Sequence, residues 1–162
     1  MDDLDVTLIR LFAAEPRVGV LEASRRLGVA RGTVQARLTK LSESGVISGW
    51  GPQLDPAALG YPVTAFLTLE IRQDTTDVGG HEHGGHAAIA SRLATIPEVL
   101  EAVTITGAGD MLCRCVARSN ADLQRVIDAV LADPGIVRSS TVIALATQIP
   151  HRVLPLLDAA AN

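Results

Sequence analysis

The hydrophobic period of this chain changes once, across Asp55-Pro56-Ala57-Ala58-Leu59-Gly60. Before that stretch apolar residues recur at helical spacing. After it they alternate, as in a strand with one buried face. A switch of period at a boundary bracketed by Pro and Gly divides the chain into a helical domain and a mixed one, and 162 residues suffice for both. The pattern places the helical domain at 1–54, a linker at 55–61, the mixed domain at 62–150 and a C-terminal tail at 151–162.

In the first part, Asp5 can cap a helix in which Leu8, Ile9 and Phe12 share a face, with Pro16 and Gly19 as punctuation. Val20 to Leu27 predicts a second helix, stopped by Gly28. Arg31 to Glu43 predicts a third, with Val34, Leu38 and Leu41 inward and Arg31, Thr33, Gln35, Arg37 and Lys40 outward. Gly45 ends it, and Val46 to Leu54 reads as an extended wing or edge strand. A small residue in a short turn, an apolar inner face and a basic outer face are what a helix-turn-helix needs to enter the major groove.

In the second part, Val63, Ala65, Leu67, Leu69 and Ile71 alternate with Thr64, Phe66, Thr68 and Glu70, a half-buried strand. A polar, glycine-rich loop follows from Gln73 to Gly85, then a helix from Ala87 to Ile96. Val99 to Thr106 and Met111 to Ala117 form a hairpin. Asn120 caps a helix carrying Leu123, Val126, Ile127, Val130 and Leu131, and Thr141 to Thr147 is the last strand. The order β-α-β-β-α-β is the ferredoxin-like arrangement, with two helices on one sheet face. The expected fold is therefore α+β, a winged helix-turn-helix followed by a ferredoxin-like βαββαβ domain. The other sheet face keeps apolar residues without a covering layer, which calls for a second subunit.

Composition narrows the function. The net charge is −4, yet Arg17, Arg25, Arg26, Arg31, Arg37 and Lys40 crowd one segment against the single acid Glu22, while residues 55–162 hold seven Arg and twelve acids. A basic face on an acidic body suits a polyanion. Only Phe12, Trp50, Tyr61 and Phe66 are aromatic, which argues against a carbohydrate platform or a base-stacking RNA-binding sheet. Cys113 and Cys115 are too few for a disulfide framework or a four-sulfur zinc site and read as small buried hydrophobes. No apolar run approaches the ~20 residues of a membrane span, and the acidic start is unlike a secretory signal. These features predict a cytoplasmic protein without a membrane partner.

The ordered set Asp2, Asp5, Leu8-Ile9, Phe12, Arg17, Gly28, Arg37, Leu41 and Gly45-Val46-Ile47, followed by Asp55-Pro56 and Leu59-Gly60, resembles the N-terminal domain and linker of the Lrp/AsnC (leucine-responsive, feast/famine) transcriptional regulators. Pro97-Glu98-Val99, Thr106-Gly107-Ala108-Gly109-Asp110 and Gly135-Ile136-Val137 stand where signatures of the family's effector-binding domain fall. The resemblance covers residues 1 to about 150. It implies a DNA-binding regulator that responds to an amino acid or related metabolite, with the effector between subunits and dimers assembling to tetramers or octamers. The chain departs from the family where Ala30 replaces the usual Ser at the start of the recognition helix, a lost cap of ~1 kcal/mol. It also has Ala23 and Ser24 where the family prefers Leu and Ala, and no aromatic neighbour at Asp110.

The expected DNA contacts are Arg31, Thr33 and Gln35 to base edges and Arg25, Arg26, Arg37 and Lys40 to phosphates. The expected effector turn is Thr106, Gly107, Ala108, Gly109 and Asp110. Asp110 would hold an ammonium and glycine N–H groups a carboxylate, although the same residues can equally form a plain hairpin turn. His81, His83 and His86 are metal candidates without a clear fourth ligand. No cofactor or metal is expected. Two alternatives stand beside the regulator: an enzyme like the siroheme decarboxylases, which resemble the same two-domain family, and a metal-responsive repressor using the His81–His86 loop. No catalytic constellation is visible, and Ser48-Gly49-Trp50 lacks the arginines those enzymes tend to carry.

Overall fold

The structure, a computed structural model, describes residues 1–72 and 85–160. The chain divides into two compact units, one of Met1–Gln53 with the chain from Ile149 onward, the other Leu54–Gln148.

The first unit opens with α1 (Asp3–Ala14), α2 (Val20–Leu27) and α3 (Arg31–Glu43). The cap of α1 is Asp2 rather than Asp5. The Asp2 carboxylate accepts the Asp5 N–H at 3.0 Å and the Asp5 carboxylate accepts the Asp2 N–H at 3.1 Å, a reciprocal capping box closed by a short acid. Gly28 ends α2 at φ +65°, which an L side chain adopts only under strain. Ala30 leads into α3 without a side-chain cap. Leu8, Ala23, Val34 and Leu38 form the buried core, ringed by Leu4, Leu11, Phe12, Val20, Leu27, Val29 and Ile47.

Residues 46–54, predicted as a wing or edge strand, form no strand. A lone extended segment has no ladder partner in this all-helical unit, and its backbone groups turn elsewhere. The Ile47 N–H donates to the Leu41 carbonyl at 3.0 Å, and Trp50 meets Phe12 edge to face with ring centroids 5.4 Å apart.

The second unit contains β1 (Val63–Ile71), α4 (His86–Leu93), β2 (Val99–Thr104), β3 (Met111–Ala117), α5 (Asn120–Leu131) and β4 (Ile136–Ile143). The sheet is antiparallel in the order β2-β3-β1-β4. Ala65, Leu67, Leu69 and Ile71 of β1 and Met111, Cys113, Cys115 and Ala117 of β3 are buried in one cluster with Ile89, Leu93, Leu123, Val126 and Val130 from the helices. This core contains no ring. Burial pushes the Cys113 thiol up to about 11 and, with smaller contributions from Cys113 and Glu98, the Cys115 thiol up to about 12.

Several limits differ from expectation: α4 runs His86–Leu93 rather than 87–96, and β2 ends at Thr104 rather than Thr106. The last strand starts at Ile136, not Thr141. Arg138, Ser139 and Ser140 interrupt the apolar alternation there, so pairing with β1 rather than side-chain pattern defines the strand. The cap of α5 is Ser119, not Asn120. Its hydroxyl accepts the Asp122 N–H at 3.0 Å, and the Asp122 carboxylate accepts the Arg118 N–H at 3.0 Å.

The opposite sheet face carries Phe66 paired with Val142 and Arg114, and Leu112 paired with Thr68 and Val103. Phe66, Val103 and Val142 are exposed on it. After Gln148 the chain belongs to the helical unit, where α6 (Leu156–Ala160) is tied to α1 by an Arg10–Asp158 ion pair. No helix among the described residues is long and apolar enough to cross a membrane.

Candidate nucleic-acid interface and effector turn

The candidate DNA contacts fall into two groups once side chains are in place. Arg25, Arg31, Thr33, Gln35 and Lys40 are exposed, and among the described residues Arg25, Arg31 and Lys40 form no ion pair. Arg26 and Arg37 are engaged within the protein. Arg26 donates to Glu15 at 2.6 Å and Glu22 at 2.9 Å, and both carboxylates hold its pKa above the usual guanidinium value. Arg37 reaches back from α3 to Asp2 at 2.5 Å and Asp5 at 3.0 Å. The Asp5 N–H and then Arg37 hold the Asp2 carboxyl below its usual value, and the Arg37 pKa rises in return. Arg37 is a clamp between the third helix and the capped end of the first.

At about 100° per residue, the inward arc of α3 is centred on Val34, Leu38 and Leu41, so the outermost ridge falls on Gly32 and Ala36. Both are exposed, and nothing lies within 4 Å of the place a Cβ would take at Gly32. Sequence reading ranked residues by charge and passed over these two. Their small size leaves this ridge of the helix low, with Arg31, Gln35 and Lys40 on its flanks.

The turn 105–110 joins β2 to β3. Gly107 sits at φ +116°, and a Cβ on Gly109 would run into Thr68 Cγ2 and stand 3.1 Å from the Leu69 carbonyl oxygen. Both glycines are thus demanded by the backbone. Asp110 is fixed on three sides. Its N–H donates to the Leu69 carbonyl at 2.9 Å, its carbonyl accepts the Ile105 N–H at 3.0 Å, and its carboxylate accepts the Ile71 N–H at 2.7 Å. One oxygen of the carboxylate assigned to a ligand ammonium is therefore already taken by the chain. Thr106 and Ala108 are exposed in the turn.

Beside this turn, on the open sheet face, lies a concavity of about 360 Å³ lined by Thr68, Glu70, Ala108, Arg138, Ser139 and Ser140. Sequence reading missed Glu70 and Arg138 because they stand far apart in the chain and only the β1–β4 register makes them neighbours. An apolar cleft of about 420 Å³ in the helical unit is lined by residues including Phe12, Leu38, Gln35 and Trp50. Of the metal candidates, His81 and His83 lie outside the described residues and His86 begins α4. Among the described residues no three His, Cys, Asp or Glu side chains gather as a metal site.

Residues 1–42 match the model of the AsnC-type helix-turn-helix domain, and residues 64–154 match that of the Lrp/AsnC ligand binding domain. The chain belongs to the Lrp/AsnC family. Within this family it is 30% identical to the HTH-type transcriptional regulator FL11 of Pyrococcus horikoshii over 156 residues, 96% of this chain and 97% of the relative. It is 31% identical to the leucine-responsive regulatory protein of Rhizobium meliloti over 124 residues, 76% of this chain and 75% of the relative. The fold matches that of E. coli AsnC with a TM-score of 0.82 at 24% identity, covering 96% of this chain and 99% of that one. A feast or famine regulatory protein from M. tuberculosis, solved in complex with L-methionine, matches with a TM-score of 0.77 at 24% identity over 94% and 97% of the two chains. The protein is an Lrp/AsnC-family, DNA-binding transcriptional regulator of α+β fold.

Proposed function

We propose that this Lrp/AsnC chain binds double-stranded operator DNA through α3, works in the cytoplasm as a homodimer that assembles further, and responds to a free amino acid. The observation that carries the DNA reading is the set of exposed cations on α2 and α3, Arg25, Arg31 and Lys40, unpaired among the described residues of a chain whose net charge is −4. Cations without internal partners are placed to displace counterions from phosphates. Arg31, Thr33 and Gln35 occupy the first two turns, from which side chains reach base edges.

The dimer reading rests on the open sheet face, where Phe66, Val103 and Val142 share an exposed surface with Leu112. A two-fold axis through such a face buries the same apolar patch twice. The effector reading rests on the polar concavity beside Ala108 on that same face, together with the L-methionine held by a structural neighbour. Its volume of about 360 Å³ lies within the range of about 300–1,000 Å³ common for small-molecule sites. The relatives are named as regulators, which supports a role in binding over one in catalysis.

The test is footprinting on the DNA upstream of the protein's own coding region, repeated with each of the twenty amino acids. A protected site whose occupancy or extent changes with one amino acid is the expected result. Protection that no amino acid alters would remove the effector, and no protection at all would remove the regulator of its own gene.

A further inference from the structure

We infer that Glu70 and Arg138 are the zwitterion receptor of this protein, and that Asp110 acts through Glu70 without touching the ligand. The inference rests on the amino-acid reading above and assigns its chemistry to side chains.

Glu70 of β1 and Arg138 of β4 are directly opposite in the antiparallel register, with Arg138 Nη1 3.8 Å from Glu70 Oε1. That separation is a loose ion pair without a normal hydrogen bond. Both side chains remain substantially exposed, at 46% and 76%. An α-amino acid carries an ammonium and a carboxylate on one carbon. Its ammonium donates to Glu70 and its carboxylate accepts from Arg138, so the ligand satisfies both ends of a pair that the described residues leave incomplete. Thr68, Ser139, Ser140 and Ala108 line the same concavity.

Asp110 brackets Glu70 in the chain. Its N–H binds the carbonyl of Leu69 and its carboxylate binds the N–H of Ile71, one residue to either side. The β1–β4 register also shifts between Glu70 and Ile71. A bulge needs its backbone groups satisfied from outside the ladder, and Asp110 does this, fixing the direction in which Glu70 leaves the strand. Asp110 is a positioning residue.

The experiment uses the full chain, thermal shift to find which free amino acids bind, and equilibrium dialysis of the best binder with its α-amide and N-acetyl forms. The wild type should prefer the free amino acid over both derivatives by about tenfold or more, the loss of one charge-assisted bond each. Glu70→Gln should abolish the preference over the N-acetyl form and keep that over the amide. Arg138→Met should do the reverse. Asp110→Asn, whose amide oxygen still accepts the Ile71 N–H, should bind within a few-fold of wild type, whereas Asp110→Ala should bind weakly to all three forms. Light scattering checks that each variant keeps its assembly. Derivatives that bind wild type as well as the free amino acid overturn the assignment without any variant. So does Asp110→Asn losing the ammonium preference that Glu70→Gln retains, since Asp110 is then the direct contact. If no amino acid binds wild type, the effector reading falls and this assignment with it.

Discussion

Arg37 of α3 donates to the carboxylate of Asp5, the third residue of α1, at 3.0 Å, and Asp5 is buried there. The same carboxylate closes the capping box with Asp2. A basic residue on the helix proposed to read DNA is thus committed to holding that helix against its neighbour. Arg37→Met should lower the melting temperature of the helical unit and weaken operator binding, with the slope of log K against log salt unchanged. Lys40→Ala should leave the melting temperature alone and flatten that slope by about one. Binding titrations between low and moderate salt separate the two, and a flattened slope for Arg37→Met would make it a phosphate contact after all.

Base reading is a separate matter. Arg31→Ala should narrow the gap between operator and random DNA while both still bind, because a lost base-edge contact removes discrimination of about 1–3 kcal/mol. Competition with unrelated DNA measures it. An unchanged ratio would move recognition away from the first turn of α3.

Acid should loosen the α1–α3 clamp. Asp2 has its folded pKa lowered from 3.8, first by the Asp5 N–H and then by Arg37. A lowered folded pKa contributes stability above the unfolded value, which is lost as pH falls through the folded one. Melting temperature should therefore decline between about pH 5 and pH 2. In Asp2→Asn the decline should be shallower. Equal declines would show that Asp2 has no part in it.

The two glycines of the turn between β2 and β3 should be intolerant for different reasons. Gly107→Ala forces a side chain onto φ +116° and should cost ~1–3 kcal/mol. Gly109→Ala inserts a methyl between Thr68 and the Leu69 carbonyl and should cost a similar ~1–3 kcal/mol through displacement of β1. Thr68→Ser removes the methyl that the new Cβ would meet, so it should recover part of the Gly109→Ala loss and none of the Gly107→Ala loss. Urea denaturation of the four variants decides this.

Cys113 and Cys115 should be inert in the folded protein. Both are fully buried, and their thiols are pushed up to about 11 and about 12. Since only the thiolate reacts, labelling by a thiol reagent at about pH 8 should track unfolding. Fast labelling of the native protein would place at least one thiol at the surface.

The elements with strong period were legible from sequence. Val34, Leu38 and Leu41 defined α3, and the alternation from Val63 to Ile71 defined β1. Where position depends on partners, sequence misled. Residues 46–54 look like a strand by composition but have no neighbouring strand. β4 looks polar at Arg138, Ser139 and Ser140, yet it pairs with β1 along that stretch. Gly28 and Ala30 stand at the ends expected of them, but two N-caps were misplaced, Asp5 for Asp2 and Asn120 for Ser119, because nearby polar residues compete for the same role and only backbone geometry chooses. At the turn between β2 and β3 the glycines were found and their neighbours were not. Charge at Asp110 drew attention, while Glu70 and Arg138 become a pair only through register.

The protein contains a single tryptophan, and its ring leans on Phe12 in the helical unit, while the core of the sheet unit has no aromatic side chain at all. Indole emission therefore follows only one half of the molecule. Heating or denaturant can dismantle the sheet unit with the fluorescence unmoved, and a far-UV signal that melts at a different midpoint would expose the two units as separate cooperative blocks within one chain.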